Sequence, residues 1–135
     1  MIIPAYLRMA LRVHAVYFFV WAITFDLAVV PFVKVFGLEA PRTIVGWVGT
    51  DVASGGLLTV GVLFLLASFQ RDLPRFVIAV ALVQTAFHLY HDIVWFRMGA
   101  PAGLVLLDTV VIGTLFVTYL TAWRGSRSGA WREPS

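Results

Sequence analysis

The sequence predicts an all-α protein, an integral-membrane antiparallel four-helix bundle with both termini on the cytoplasmic side. Three observations lead there. Of the 135 residues, 61% are hydrophobic and only 13% are charged, against about 25% charged in a soluble domain. Four apolar runs each reach the roughly 20 residues that an α-helix needs to cross a hydrocarbon core. Between them lie short stretches that combine charge with Pro or Gly, as tight connections between neighbouring helices do. The length fits one domain, residues 1–123, followed by a polar tail at 124–135.

The first helix is expected over residues 9–33. Its approach, "MIIPAYLRMALRVHAVYFF", places Arg8 and Arg12 at the start of an apolar run. That run is long and no small-residue cleavage site follows, so it reads as a retained span and not a leader. "GLEAPR" at 37–42 leads to the second helix, expected at 43–69; "QRDLPR" at 70–75 leads to the third, at 76–96. "RMGAP" at 97–101 then turns the chain into the fourth, at 102–123. The remaining "RGSRSGAWREPS" is rich in Gly, Ser and charge and reads as a flexible cytoplasmic tail.

Orientation follows from the basic residues. One side collects Arg8, Arg12, Arg71, Arg75, Arg124, Arg127 and Arg132, while the other holds Lys34, Arg42 and Arg97. The richer side is the cytoplasmic one. The net charge of +3 thus sits at span ends, where topology accounts for it, and no nucleic-acid partner is expected. The chain has no cysteine, which excludes disulfides, thiol redox chemistry and thiolate metal sites. On the second helix Gly46, Thr50 and Ser54, and likewise Gly49 and Ala53, recur at four-residue spacing, which favours close helix packing within the chain.

Polar side chains inside the spans carry the functional signal. Glu39, Asp72 and Glu133 fall in connections or the tail, leaving one acid on each helix: Asp26, Asp51, Asp92 and Asp108. An intramembrane carboxylate costs about 2.5–3.5 kcal/mol on insertion scales. With a rise of about 1.5 Å per residue, all four fall roughly 6–12 Å inside the outer boundary, in one layer. On the third helix Gln84, His88, Asp92 and Trp95 follow spacings of four, four and three and so share a stripe, with His91 beside it. Lipid exposure of that stripe is costly, so it should face the protein interior.

These residues define a candidate pocket open to the outer side. Asp26, Asp51, His88, Asp92 and Asp108 are its catalytic candidates; Trp21, Trp47, Gln84, His91 and Trp95 are its candidate ligand-binding walls. A neutral carboxylic acid beside an ionised one equips a site for acid–base chemistry such as isomerisation or epoxide opening. The competing reading is a hydrogen-bonded network that only fixes helix packing. No cofactor is expected. A metal held by His88, His91 and Asp92, joined by Asp51 or Asp108, is the lesser alternative, because bundle di-metal sites rely on Glu and Glu-x-x-His, and no Glu lies in a span. Haem needs opposed ligands, whereas His88 and His91 share a helix and His14 lies near the inner end of the first, where a local hydrogen-bond role is expected. A pore is disfavoured because the inner halves, such as "LLTVGVLFLLASF", offer only hydroxyls that can bond their own helix.

The layout resembles the DoxX-like and BphX-like group of small bacterial four-helix membrane proteins. The similarity rests on "VKVFGLEAP", on "VGTDVASGGLLTVGVLFLLASFQRD", on the His-bearing third helix and on "LLDTVV". It implies a bacterial inner-membrane protein, and association of some members with quinone-linked oxidoreductases implies a membrane-complex partner. A second resemblance, of "YFFVWAITFDLAVVP" to the first helix of EXPERA-type (sigma-2 receptor-like) proteins, implies that Asp26 and Asp51 line a sterol or lipophilic-amine pocket. The leading expectation is therefore a protein that binds, and transforms by acid–base chemistry, a small lipophilic molecule, with membrane lipid as a further partner. The alternative is a non-catalytic accessory subunit of a larger membrane complex, with a structural polar layer; a homo-oligomer is compatible with either.

Overall fold

The computed structural model describes residues 3–27, 31, 34–35 and 43–127, without the side chains of Phe25, Asp26, Leu27, Val45, Trp47 and Thr50. Among the described residues there are four long α-helices and no β-strand: α1, Ala5–Leu27; α2, Ile44–Phe69; α3, Arg75–Arg97; and α4, Ala102–Arg127. Each contains a stretch long and apolar enough to cross a membrane, namely Ala5–Thr24, Asp51–Phe69, Arg75–Arg97 and Ala102–Arg127. The chain is a multi-pass membrane protein of the all-α class. Large apolar side chains such as Val16, Ile23, Leu66, Val83, Phe87 and Val110 are more than half exposed, as suits a surface in contact with lipid tails.

Local chemistry sets the helix ends. The Pro4 carbonyl accepts from Leu7 N–H at 3.1 Å and Arg8 N–H at 3.2 Å, so α1 starts at Ala5, four residues before the expected 9. The expected end of this span, at 33, lies outside the described residues. Thr43 caps α2, its Oγ1 accepting from Gly46 N–H at 3.1 Å. Pro74 holds the extended conformation before α3, φ −61° and ψ 136°. At the far end Gly99 has φ +89°, Gly99 N–H donates to Phe96 O at 3.1 Å, and Ala100 N–H donates to Trp95 O at 3.0 Å. This is a glycine-dependent C-cap, and Pro101 directly after it cannot continue the helix. Helix α4 runs to Arg127, past the expected 123, so the tail's first residues are helical. The Arg75 guanidinium donates to Ser126 O at 2.8 Å, placing a cation where the C-terminal carbonyls of α4 favour one.

The chain groups into two units, one of residues up to Ala10 and from Ala67 onward, the other Leu11–Leu66. In the first, α3 and α4 pack together as an antiparallel hairpin, as Arg75 meeting Ser126 and His88 meeting Asp108 require. The buried residues of α4, Val105, Asp108, Ile112, Leu115, Tyr119, Ala122 and Ser126, alternate three and four apart. On α3 the buried series Ile78, Ala81, Thr85 and Asp92 has the same rhythm once His88 is included. This is the spacing of a seam between paired helices, and Asp92 and Asp108 occupy positions in it that an apolar residue would ordinarily take.

In the second unit α1 and α2 run antiparallel. Ser54 Oγ donates to Ala22 O at 3.0 Å, while His14 and Phe64 rings lie 4.7 Å apart. The close approach expected around Gly46, Thr50 and Ser54 is found at Ser54 and, further along, at Gly61. A Cβ added at Gly61 would come within 2.7 Å of Phe19 Cε1 and 3.4 Å of Ala15 O, whereas one at Gly49 would meet nothing within 4 Å. Gly61→Val should therefore destabilise the protein by about 1–3 kcal/mol through overpacking, while Gly49→Ala should be neutral or stabilise it by up to about 1 kcal/mol. Unfolding in mild detergent followed by circular dichroism checks both.

Candidate functional site

The hairpin brings His88, Asp92 and Asp108 together. Four residues separate His88 from Asp92, one helical turn, so both point into the seam. The Gly99 turn places Asp108 on α4 opposite them. Counted at about 1.5 Å per residue, Asp92 is about 8 Å below the end of α3 and Asp108 about 9 Å below the start of α4. Each of the three offers a ligand atom within 4.8 Å of the others.

Both carboxylates are buried, with Asp92 2% and Asp108 3% exposed. His88 Nε2 and Asp108 Oδ2 lie 2.8 Å apart, a contact in which the imidazole N–H donates to an ionised carboxylate, or the carboxylic O–H donates to a neutral ring nitrogen. Thr109 Oγ1 donates to Asp92 Oδ2 at 2.8 Å. Each carboxyl thus has one oxygen held inside the hairpin. The other, Oδ1 of Asp92 and Oδ1 of Asp108, is buried with no hydrogen-bond partner among the described residues. Nor does a Lys or Arg among them pair with either acid. Native interiors satisfy most buried polar atoms, so two orphan acceptors in one cluster are exceptional.

No family model, curated protein or solved structure matches the chain.

The remaining candidates are placed differently. His91 packs edge-on against Phe87, ring centroids 4.5 Å apart, and lies 5.9 Å from Tyr90, so it belongs to an aromatic face whose Phe87 and Tyr90 are exposed. Gln84 and Trp95 are half-buried on α3. Asp51 is exposed on α2, in the Leu11–Leu66 unit. Trp21, of the same unit, is buried and meets Tyr17 edge-on at 6.2 Å. The side chains of Asp26 and Trp47 lie outside the described residues.

Two features were not anticipated. Thr109 is the hydroxyl that holds Asp92, and its one signal is adjacency to Asp108 in "LLDTVV". His14 is fully buried, 4.3 Å from the Phe18 ring and 4.7 Å from that of Phe64, inside an aromatic cluster. Thr59, Thr114, Thr118 and Thr121 do bond carbonyls of their own helices, at 2.7–2.9 Å.

Thr109→Val removes, at nearly constant volume, the one donor to Asp92 among the described residues. It should destabilise the protein by about 1–3 kcal/mol, the cost of stranding a buried acceptor, and Thr109→Ser should restore most of the loss. Equilibrium unfolding of the three proteins in the same detergent measures it.

Proposed function

We propose that the protein is a multi-pass protein of the bacterial inner membrane, termini inward, that binds a small lipophilic molecule by its polar end at His88, Asp92 and Asp108. The observation that carries this reading is the pair of buried, unpartnered carboxylate oxygens. A network serving only to join two helices gains nothing from leaving them unmet, and each unmet buried acceptor costs free energy. A molecule already dissolved among lipid tails can deliver a polar group to this depth without crossing bulk water.

Acid–base chemistry is available to the same residues. His88 and Asp108 share one hydrogen bond, so a proton can sit on either side of it, and Asp92 Oδ1 is a second acceptor nearby. That equipment suits isomerisation or epoxide opening on a lipophilic substrate. The orientation is supported by Arg71, Arg75, Arg124 and Arg127 at the end of the hairpin away from Gly99. Placement in the DoxX-like group is proposed on the motifs "VKVFGLEAP" and "LLDTVV".

Mass spectrometry of solvent extracts tests the reading. Full-length protein purified from its native membrane in mild detergent should carry a lipophilic compound in near-stoichiometric amount, reduced at least tenfold in Asp108→Asn of unchanged helicity. Equal amounts of every compound in the two extracts would overturn it.

A further inference from the structure

We infer that His88, Asp92 and Asp108 hold a divalent first-row transition-metal ion, one imidazole and two carboxylates forming an N,O,O face on the α3–α4 hairpin. The inference rests on reading this cluster as a ligand site and specifies what meets its orphan oxygens. The polar end of the lipophilic molecule then completes the coordination sphere.

Charge argues for a metal first. Two carboxylates that are 2–3% exposed inside membrane-length helices are tolerated when a positive charge neutralises them, and no Lys or Arg among the described residues does so. A single divalent ion cancels both. Geometry agrees: three donor atoms lie within 4.8 Å of one another, and donors about 2.0–2.2 Å from a tetrahedral ion sit roughly 3.4 Å apart. Side-chain rotations of about an ångström close that difference.

The surrounding bonds complete the case. Thr109 occupies Asp92 Oδ2 and leaves Oδ1 for an ion, as an outer hydrogen bond orients a metal-binding carboxylate. Asp108 likewise leaves its Oδ1 available, and the ion takes the place of the proton shared between His88 Nε2 and Asp108 Oδ2, which frees the imidazole nitrogen to ligate it. Mixed imidazole and carboxylate donors suit Zn2+, Mn2+ or Fe2+, and the lack of thiolate argues against Cu+. Three protein ligands leave at least one position open, the arrangement of sites that act on a bound molecule. His91, the neighbouring imidazole, is engaged with Phe87 and is not part of this face.

Chelator-treated full-length protein in lipid nanodiscs, titrated with Co2+ and followed by its visible d–d absorption and by elemental analysis after dialysis, tests the proposal. Wild type should bind one Co2+ per chain, with one imidazole nitrogen in its X-ray absorption spectrum. Asp92→Asn and His88→Gln should each weaken binding at least tenfold with helicity intact, and Asp72→Asn, in the exposed connection before α3, should bind as wild type. Thr109→Val should weaken binding severalfold at unchanged stoichiometry, with rescue by Thr109→Ser. Stoichiometry near zero in wild type, or full binding by the Asp92→Asn/Asp108→Asn double variant, would overturn the proposal. If wild type binds no Co2+ yet carries an Asp108-dependent lipophilic compound, the metal fails and the ligand site stands. Co2+ bound at the three residues without any such compound supports the metal and counts against the lipophilic ligand.

Discussion

Two carboxylates buried against each other in a membrane-length hairpin set the terms for everything around them. In water an aspartate is solvated at no cost; in the α3–α4 seam it must be paired, protonated or neutralised, or the hairpin will not form. His88 and Thr109 each meet one oxygen of one acid. The Gly99 turn matters for the same reason, since its positive φ ends α3 abruptly and places Asp108 at nearly the depth of Asp92. A bulkier residue there would strain the turn and disturb the register on which both contacts depend.

The α1–α2 unit shows the opposite solution. Its contacts are steric and aromatic: Gly61 accommodates the Phe19 ring, Ser54 reaches the Ala22 carbonyl, and His14 is enclosed by Phe18 and Phe64. Lipid tails provide no hydrophobic drive for helices to associate, so close packing and a few hydrogen bonds supply the attraction. Among the described residues the buried carboxylates lie in the hairpin, whereas the α1–α2 pair is joined mainly by shape.

The membrane helices were legible because hydropathy over some twenty residues is a strong signal with one dominant physical cause. Their ends were less so. Arg8, Arg12, Arg124 and Arg127 look like boundaries in a sequence, yet arginine is a good helix former whose long stem lets the charge reach the interface from within the helix; α1 and α4 accordingly run through them. The site was half legible. The spacing of His88 and Asp92 identifies the polar stripe, and Asp108 follows from depth, but Thr109 does not, because a membrane threonine usually bonds its own helix backbone, as Thr114 and Thr118 do. Gly61 was hidden for a related reason: four-residue spacing drew notice to Gly46 and Thr50, whereas the buried small residues Ser54, Gly61 and Ser68 recur every seven.

The account depends on His88 and Asp108 stabilising each other across the seam. A double-mutant cycle on unfolding free energy, using His88→Ala, Asp108→Ala and the double variant in one detergent, measures that coupling directly. A buried hydrogen bond to a charged group predicts about 1.5–3 kcal/mol of favourable coupling. Additive effects, with coupling indistinguishable from zero, would contradict it.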